Sequence, residues 1–234
     1  MSERYPKSPF LQRTNKRRQI DFEILVDWIE SGSRVLDLGC GRGILLRELI
    51  DRKNVYGIGV DSNPDKIASC IKRGVNAFQG DVKETMDRFE EDSFDYVVLT
   101  RTLELVGEPG AVIRKGLTIG RSVIVGAINH GFWKNRISYF LKGRSLKNDV
   151  YPFFWEDSPL SNHLSIGELI DFANREKLHV ERAVYLRGDW KTRTGFMPNW
   201  LAGYGIFEIT GGESSTSKTS PSRGSGQSSV TAPK

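Results

Sequence analysis

Apolar positions along this chain fall into two alternating patterns. Short continuous runs rich in Val, Ile and Leu occupy residues 34–38, 55–60, 75–78, 94–99 and 122–128. Runs of that length and composition predict buried strands. Between them, over 44–51, 65–72, 82–88 and 110–117, apolar residues recur at helical spacing. Asn63-Pro64 opens the second of these helices, because Pro suits a first helical turn. Ahead of the first strand, Ile20, Phe22, Ile24, Leu25, Trp28 and Ile29 predict an amphipathic helix packed on the sheet, ended by Ser31-Gly32. Towards the end, Ser165 and Glu168 form a capping-box signature for a helix over 165–176. Strands over 179–186 and 204–209 follow, and the loop between them suits an antiparallel pair. The alternation predicts an α/β fold, a doubly wound, mostly parallel seven-stranded sheet whose last strand is antiparallel.

Residues 129–164 break the rhythm. Phe132, Trp133, Tyr139, Phe140, Leu141, Tyr151, Phe153, Phe154 and Trp155 are interleaved with Lys134, Arg136, Lys142, Arg144 and Lys147. A helix over 133–141 and an irregular aromatic stretch fit this insertion. Placed after the fifth strand, it can cover a ligand, present a docking face or extend the core. The last residues, 211–234, are Ser, Gly, Thr, Pro and Lys with almost nothing apolar, and are expected to be disordered. The expected organisation is a basic arm over 1–18, one domain over 19–210 and this tail.

Net charge is +5 over 234 residues. Arg4, Lys7, Arg13, Lys16, Arg17 and Arg18 stand against Glu3 alone in the arm, and Lys218, Arg223 and Lys234 against Glu213 in the tail. The ends more than account for the charge, so the body is slightly acidic. A nucleic-acid-binding domain concentrates positive charge on its folded surface, so no nucleic-acid partner is expected. No apolar run is long enough to span a membrane, and no signal peptide is recognisable. Cys40 and Cys70 lack metal or redox spacing, and read as reduced thiols of a cytoplasmic protein. No metal is expected.

The candidate chemistry sits where the first strand ends. Arg34-Val35-Leu36-Asp37-Leu38-Gly39-Cys40-Gly41-Arg42-Gly43 reads as strand, glycine-rich turn and helix start. Asp61 closes the second strand, 18 residues beyond Gly43. An acid at that place accepts hydrogen bonds from both ribose hydroxyls of an adenosine cofactor. Asp37 would repel a pyrophosphate and attract a cation, which favours S-adenosylmethionine (SAM) over a dinucleotide. No Walker pattern is present, which disfavours an NTPase site. A third acid, Asp81, follows the third strand; it suits the adenine amine, a helix N-cap, or both. The pattern V-L-D-L-G-C-G-x-G resembles the first motif of class I SAM-dependent methyltransferases, so the resemblance implies their Rossmann-like sheet. The candidate cofactor residues are Asp37, Gly39, Cys40, Gly41, Gly43, Asp61, Ser62, Asp81, Val82 and Thr100. A tight turn without a ligand is the alternative.

Further segments carry a narrower resemblance. Phe94-Asp95-Tyr96-Val97-Val98-Leu99-Thr100-Arg101-Thr102-Leu103, Asn129-His130-Gly131-Phe132-Trp133-Lys134-Asn135-Arg136, Ser161-Asn162-His163-Leu164-Ser165-Ile166 and Pro198-Asn199-Trp200-Leu201-Ala202 are similar to the methionine biosynthesis protein MetW family. The chain departs from that pattern at Arg42 and at Ser161-Asn162. The resemblance implies a SAM- or S-adenosylhomocysteine (SAH)-binding accessory or regulatory subunit that works with homoserine O-acyltransferase, its protein partner. The alternative is a methyltransferase of a small molecule. Catalytic residues are not legible. Methyl transfer needs chiefly alignment and a shielded site, and neither the N-P-P-Y/F pattern nor a G-x-S-x-G elbow is present. His130 is a candidate base or a structural histidine, and His163 reads as a buried, loop-fixing one. Arg101 suits an acidic substrate, the cofactor carboxylate or a surface ion pair.

Overall fold

The structure is a computed structural model that describes residues 20–143 and 162–212. The expected basic arm, residues 144–161 of the insertion and residues 213–234 of the expected tail lie outside the described residues. Helix α1 covers residues 20–28. It is followed by β1 (Arg34–Leu38), α2 (Ile44–Lys53), β2 (Tyr56–Asp61), α3 (Pro64–Lys72), β3 (Asn76–Gln79), α4 (Val82–Met86) and β4 (Phe94–Thr100). Then come α5 (Pro109–Ile119), β5 (Gly120–Ile128), α6 (Trp133–Lys142), α7 (Ile166–Arg175), β6 (His179–Arg187), α8 (Pro198–Leu201) and β7 (Ala202–Thr210).

The seven strands lie in the order β3-β2-β1-β4-β5-β7-β6. The first five are parallel, and β7 runs antiparallel to both β5 and β6. The expected antiparallel pairing of the last two strands is found. The wedging of β7 between β5 and β6 goes beyond the expected pairing; β7 is buried along nearly its whole length because its two faces feed the cores on opposite sides of the sheet. The four-residue helix α8, opened by Pro198, was also not foreseen.

Side chains alternate across the sheet and feed two cores. Val35, Tyr96, Val98, Ile124, Tyr204 and Ile206 face α1, α2 and α3. Leu36, Leu38, Val97, Leu99, Val123 and Val125 face α4, α5 and α7. The apolar face of α1 packs on the sheet, with Ile24, Leu25 and Val26 buried, Ile29 buried just beyond its end, and Ile20, Phe22 and Trp28 half-buried. Caps agree with the residue types. Asn63 accepts from the N–H groups of Asp65 and Lys66, and Ser165 and Glu168 form a complete capping box on α7. Among the described residues, no helix is long and apolar enough to cross a membrane.

The parallel strands end together, and the crossing point lies between β1 and β4, where strand order reverses. That carboxyl edge is where open α/β sheets hold ligands.

Candidate functional site

The turn after β1 is shaped by three left-handed glycines, Gly39 (φ 79°), Gly41 (φ 59°) and Gly43 (φ 70°). Side chains rarely adopt that conformation. The N–H groups of Gly39 and Cys40 both donate to the Val60 carbonyl, at 2.8 and 3.0 Å, which fastens the turn to β2. A Cβ on Gly39 would collide with the Thr102 hydroxyl, and one on Gly43 would lie 2.9 Å from Cys70 Sγ. A Cβ on Gly41 would meet nothing within 4 Å, so that glycine borders open space.

Asp61 ends β2, buried against the turn. It accepts from the Gly41 N–H at 3.0 Å and the Asn63 N–H at 2.9 Å. Lys66 of α3 closes on both carboxylate oxygens, at 3.1 and 3.2 Å. Asp37 lies on the neighbouring strand, 2 % exposed. Its Oδ1 has no hydrogen-bond partner among the described residues. Burial pushes its carboxyl up to about 7, with the Asp61 charge as the second cause. A buried carboxyl with an orphaned oxygen fits an incoming cation, which would replace the lost solvation and draw the proton off.

Asp81 caps α4, its Oδ1 accepting from Lys83 N–H at 2.8 Å and Glu84 N–H at 3.3 Å. The capping half of its expected role is therefore seen. Gly80 N–H donates to the Asp61 carbonyl at 3.2 Å, which brings Asp81 beside the same crevice. Ser62 follows Asp61 on the exposed rim, and Val82 is buried in the first turn of α4. Thr100 ends β4, and its carbonyl accepts from Thr102 Oγ1 at 3.3 Å. Cys40 and Cys70 are buried and free, with their sulfurs 3.9 Å apart. Burial pushes the Cys40 thiol far above its ordinary range. The candidate residues from Asp37 to Asp61 thus meet around one turn, while Asp81 and Val82 at the start of α4 and Thr100 at the end of β4 flank it.

Several residues at this edge take partners that no local spacing predicts. Arg101 does form an ion pair, but a buried one, with Asp21 of α1. Its guanidinium lies over the rings of Trp190 (4.8 Å) and Tyr204 (5.6 Å), which stack on each other at 4.4 Å. No local spacing links positions 21, 101, 190 and 204. Asn129, fully buried, donates to the carbonyls of Asn199 and Ala202 and accepts from the N–H groups of Gly131 and Ile166. It ties the end of β5 to α7 and α8. His130 stacks on His163 with ring centres 4.4 Å apart; His163 is exposed, against the buried position expected for it. Burial, then the neighbouring His163, pushes His130 down to about 3. It is neutral near pH 7 and a weak base.

A cavity of about 500 Å³ lies between α5 and α7, lined by Leu103, Ile113, His163, Leu169 and Phe172 among others. None of the candidate cofactor residues lines it. Among the described residues, no group of three or more His, Cys, Asp or Glu could hold a metal ion.

Comparison with known proteins gives a family. The family profile described as "Methionine biosynthesis protein MetW" matches residues 19–209. The bifunctional methionine biosynthesis protein MetXA/MetW of Rhodopirellula baltica is 29% identical over 175 residues, covering 71% of this chain. The chain spans only 28% of that relative's length. A ubiquinone biosynthesis O-methyltransferase of Ralstonia nicotianae is 33% identical over 103 residues, 40% of this chain and 43% of that protein. Among solved structures, magnesium protoporphyrin IX methyltransferase of Synechocystis with bound SAH has a TM-score of 0.63 at 13% identity, covering 89% of this chain and 90% of that one. A putative methyltransferase in complex with the Haloferax volcanii Trm112 activator gives 0.61 at 16%, covering 89% and 100%. These likenesses establish the class I methyltransferase-type fold.

Proposed function

Because the chain belongs to the MetW family, we propose that it binds SAM or SAH at the β1–β2 crevice and serves as an accessory or regulatory subunit of homoserine O-acyltransferase in methionine biosynthesis, in the cytoplasm. The observation that carries the cofactor assignment is the pair of buried acids at one glycine turn. Asp61 already accepts two backbone N–H groups, and its carboxylate takes the ribose hydroxyls when Lys66 withdraws. Asp37, with its orphaned oxygen, offsets the cationic end. Gly41 leaves room beside them, and Asp81 bounds the adenine side. When bound, the cofactor supplies an activated methyl group; the residues named here hold and orient it.

The accessory role draws on the relative whose name joins MetXA to MetW. It also draws on the surface. Ile137, Phe140 and Leu141 of α6 are exposed, Phe140 by 89%, as are Phe196, Met197 and Trp200 around α8. Arg136 lies over the Trp200 ring at 4.9 Å. Aromatic and Arg residues clustered on a surface suit a protein partner. A second reading, methylation of a small molecule, draws on the O-methyltransferase relatives. The weak basicity of His130 gives it less support.

Calorimetry with SAH tests the crevice. Asp61→Ala is expected to weaken binding by about 1–3 kcal/mol, as for loss of a charged acceptor; unchanged affinity would remove the ribose assignment. Acyltransferase assays with and without this chain, and with SAM, test the accessory role. No change in rate or stability in any combination rejects it.

A further inference from the structure

Seven non-glycine residues among those described have left-handed backbone. Several of them sit at turns or helix ends, where this conformation is ordinary, and Trp190 itself closes a turn, its N–H donating to the Arg187 carbonyl at 2.8 Å. Two touch each other from positions 89 apart, Arg101 (φ 56°) and Trp190 (φ 61°), with the guanidinium 4.8 Å from the indole centre. For a side chain as large as Trp this geometry is unusual, and such strain gathers where a side chain must be held in one place. The backbone of Arg101 is fixed by its N–H, which donates to the Gly126 carbonyl at 2.7 Å. The stacked rings of Trp190 and Tyr204 then set the plane of the guanidinium.

The guanidinium is not fully used. Asp21 takes a terminal nitrogen, and the buried Nε has no hydrogen-bond partner among the described residues. Arg101 keeps 20% side-chain exposure, while Asp21 keeps 1%. The next residue, Thr102, packs on Gly39 and donates to the Leu38 carbonyl at 2.7 Å, so Arg101 stands beside the glycine turn. Asp21 comes from α1, an element outside the sheet.

We propose that Arg101 is the receptor for a ligand carboxylate at the mouth of the crevice, and that Asp21 stands in that carboxylate's place. A planar fork held between aromatic rings matches a carboxylate in two-point contact. The carboxylate comes from one of two sources, the amino-acid end of the cofactor or a second, carboxylate-bearing ligand bound next to it. The first source rests on the cofactor reading above.

Asp21→Asn is the decisive variant, since it removes the competitor and keeps the shape. Affinities for SAH and for 5′-methylthioadenosine, which lacks the amino-acid end, are measured by calorimetry on the wild type and on Asp21→Asn. If the cofactor is the source, Asp21→Asn binds SAH about tenfold more tightly and 5′-methylthioadenosine as before. Arg101→Gln shows the opposite, a selective loss for SAH. If a second ligand is the source, both nucleosides bind as in wild type, and Asp21→Asn gains affinity for homoserine, titrated with and without saturating SAH. The thermal shift from the carboxylate-bearing ligand also grows in Asp21→Asn, because it restores a partner to a buried charge. Equal responses of Asp21→Asn and wild type to SAH, 5′-methylthioadenosine and homoserine would overturn the proposal and leave a structural ion pair. Failure of both nucleosides to bind wild type would instead overturn the cofactor reading, and the homoserine titration would still decide the role of Arg101.

Discussion

Gly41 reaches Asp61 across 20 residues of chain, and Cys40 meets Cys70 across 30. On the other side of the carboxyl edge, Arg101 reaches Asp21 across 80 residues, and Asn129 reaches Ala202 across 73. The two sides are assembled by different means. The β1–β2 side is one βαβ unit, whose turn geometry forces its glycines and whose ligand position forces its acid. The β4–β5–β7 side gathers single residues from elements that share no spacing. In the turn after β1 the left-handed backbone falls on glycines, which tolerate it. On the β4–β5–β7 side it falls on Arg101 and Trp190, and packing must hold it.

Damage to the glycine turn should be the most severe. Gly39→Val combines a left-handed backbone with a collision against Thr102, whose hydroxyl holds the Leu38 carbonyl. The conformational penalty is about 1–2 kcal/mol, overpacking about 1–3 and the lost hydrogen bond about 1. Urea denaturation should show a loss of several kcal/mol, and SAH binding should vanish. Near-normal stability would mean the turn is softer than its contacts suggest.

Asp37 sharpens the comparison through pH. Its carboxyl is raised from 3.8 to about 7 by burial, with Asp61 adding to it. The native state therefore holds the proton more tightly than the unfolded chain. The associated stability is fully present below about pH 4 and is lost as pH rises to about 7. The limit is roughly 4 kcal/mol, from about 1.4 kcal/mol per pH unit. Asp37→Asn should unfold at a higher temperature than wild type at pH 8, show little difference at pH 4, and bind SAM less well. A pH-independent difference would place the proton elsewhere.

A cut on the opposite side should separate stability from binding. Asn129→Ala strips partners from two carbonyls and two N–H groups in a buried site. An expected loss of about 2–3 kcal/mol follows from leaving such groups unpaired. SAH affinity should change less than twofold, since no candidate cofactor residue bonds to Asn129. A large loss of affinity would join the two sides into one cooperative unit.

The same contrast sets what could be read from the chain. The parallel strands themselves, the glycine turn, Asp61 at the end of β2 and the Ser165–Glu168 cap were legible because each is a local pattern with one physical solution. The insertion of β7 between β5 and β6 was not, because two strands joined by a loop read alike whether or not a third flanks them. Arg101 was visible as a charge at the end of β4, but its depth depends on Trp190 and Tyr204, far away in sequence. Asn129 and Asn162 lay within segments that resemble the MetW family. Their work as ties shows only in the fold, where Asn162 donates to the carbonyls of Leu103 and Val106 at 2.9 and 2.7 Å.

The smallest effect concerns Lys66. Its ammonium covers both oxygens of Asp61, yet its side chain is 45% exposed, so the pair adds only about 0–1 kcal/mol to stability. Ribose hydroxyls and Lys66 compete for the same two acceptors. Lys66→Ala should therefore leave the melting temperature within a few degrees of wild type. It should tighten SAH binding by no more than about 1 kcal/mol, with the gain shrinking as salt weakens the wild-type pair. A tenfold weakening would show that Lys66 is itself a ligand contact. The ribose would then lie elsewhere than on Asp61, and the local side of the edge would depend on α3 as much as on its glycine turn.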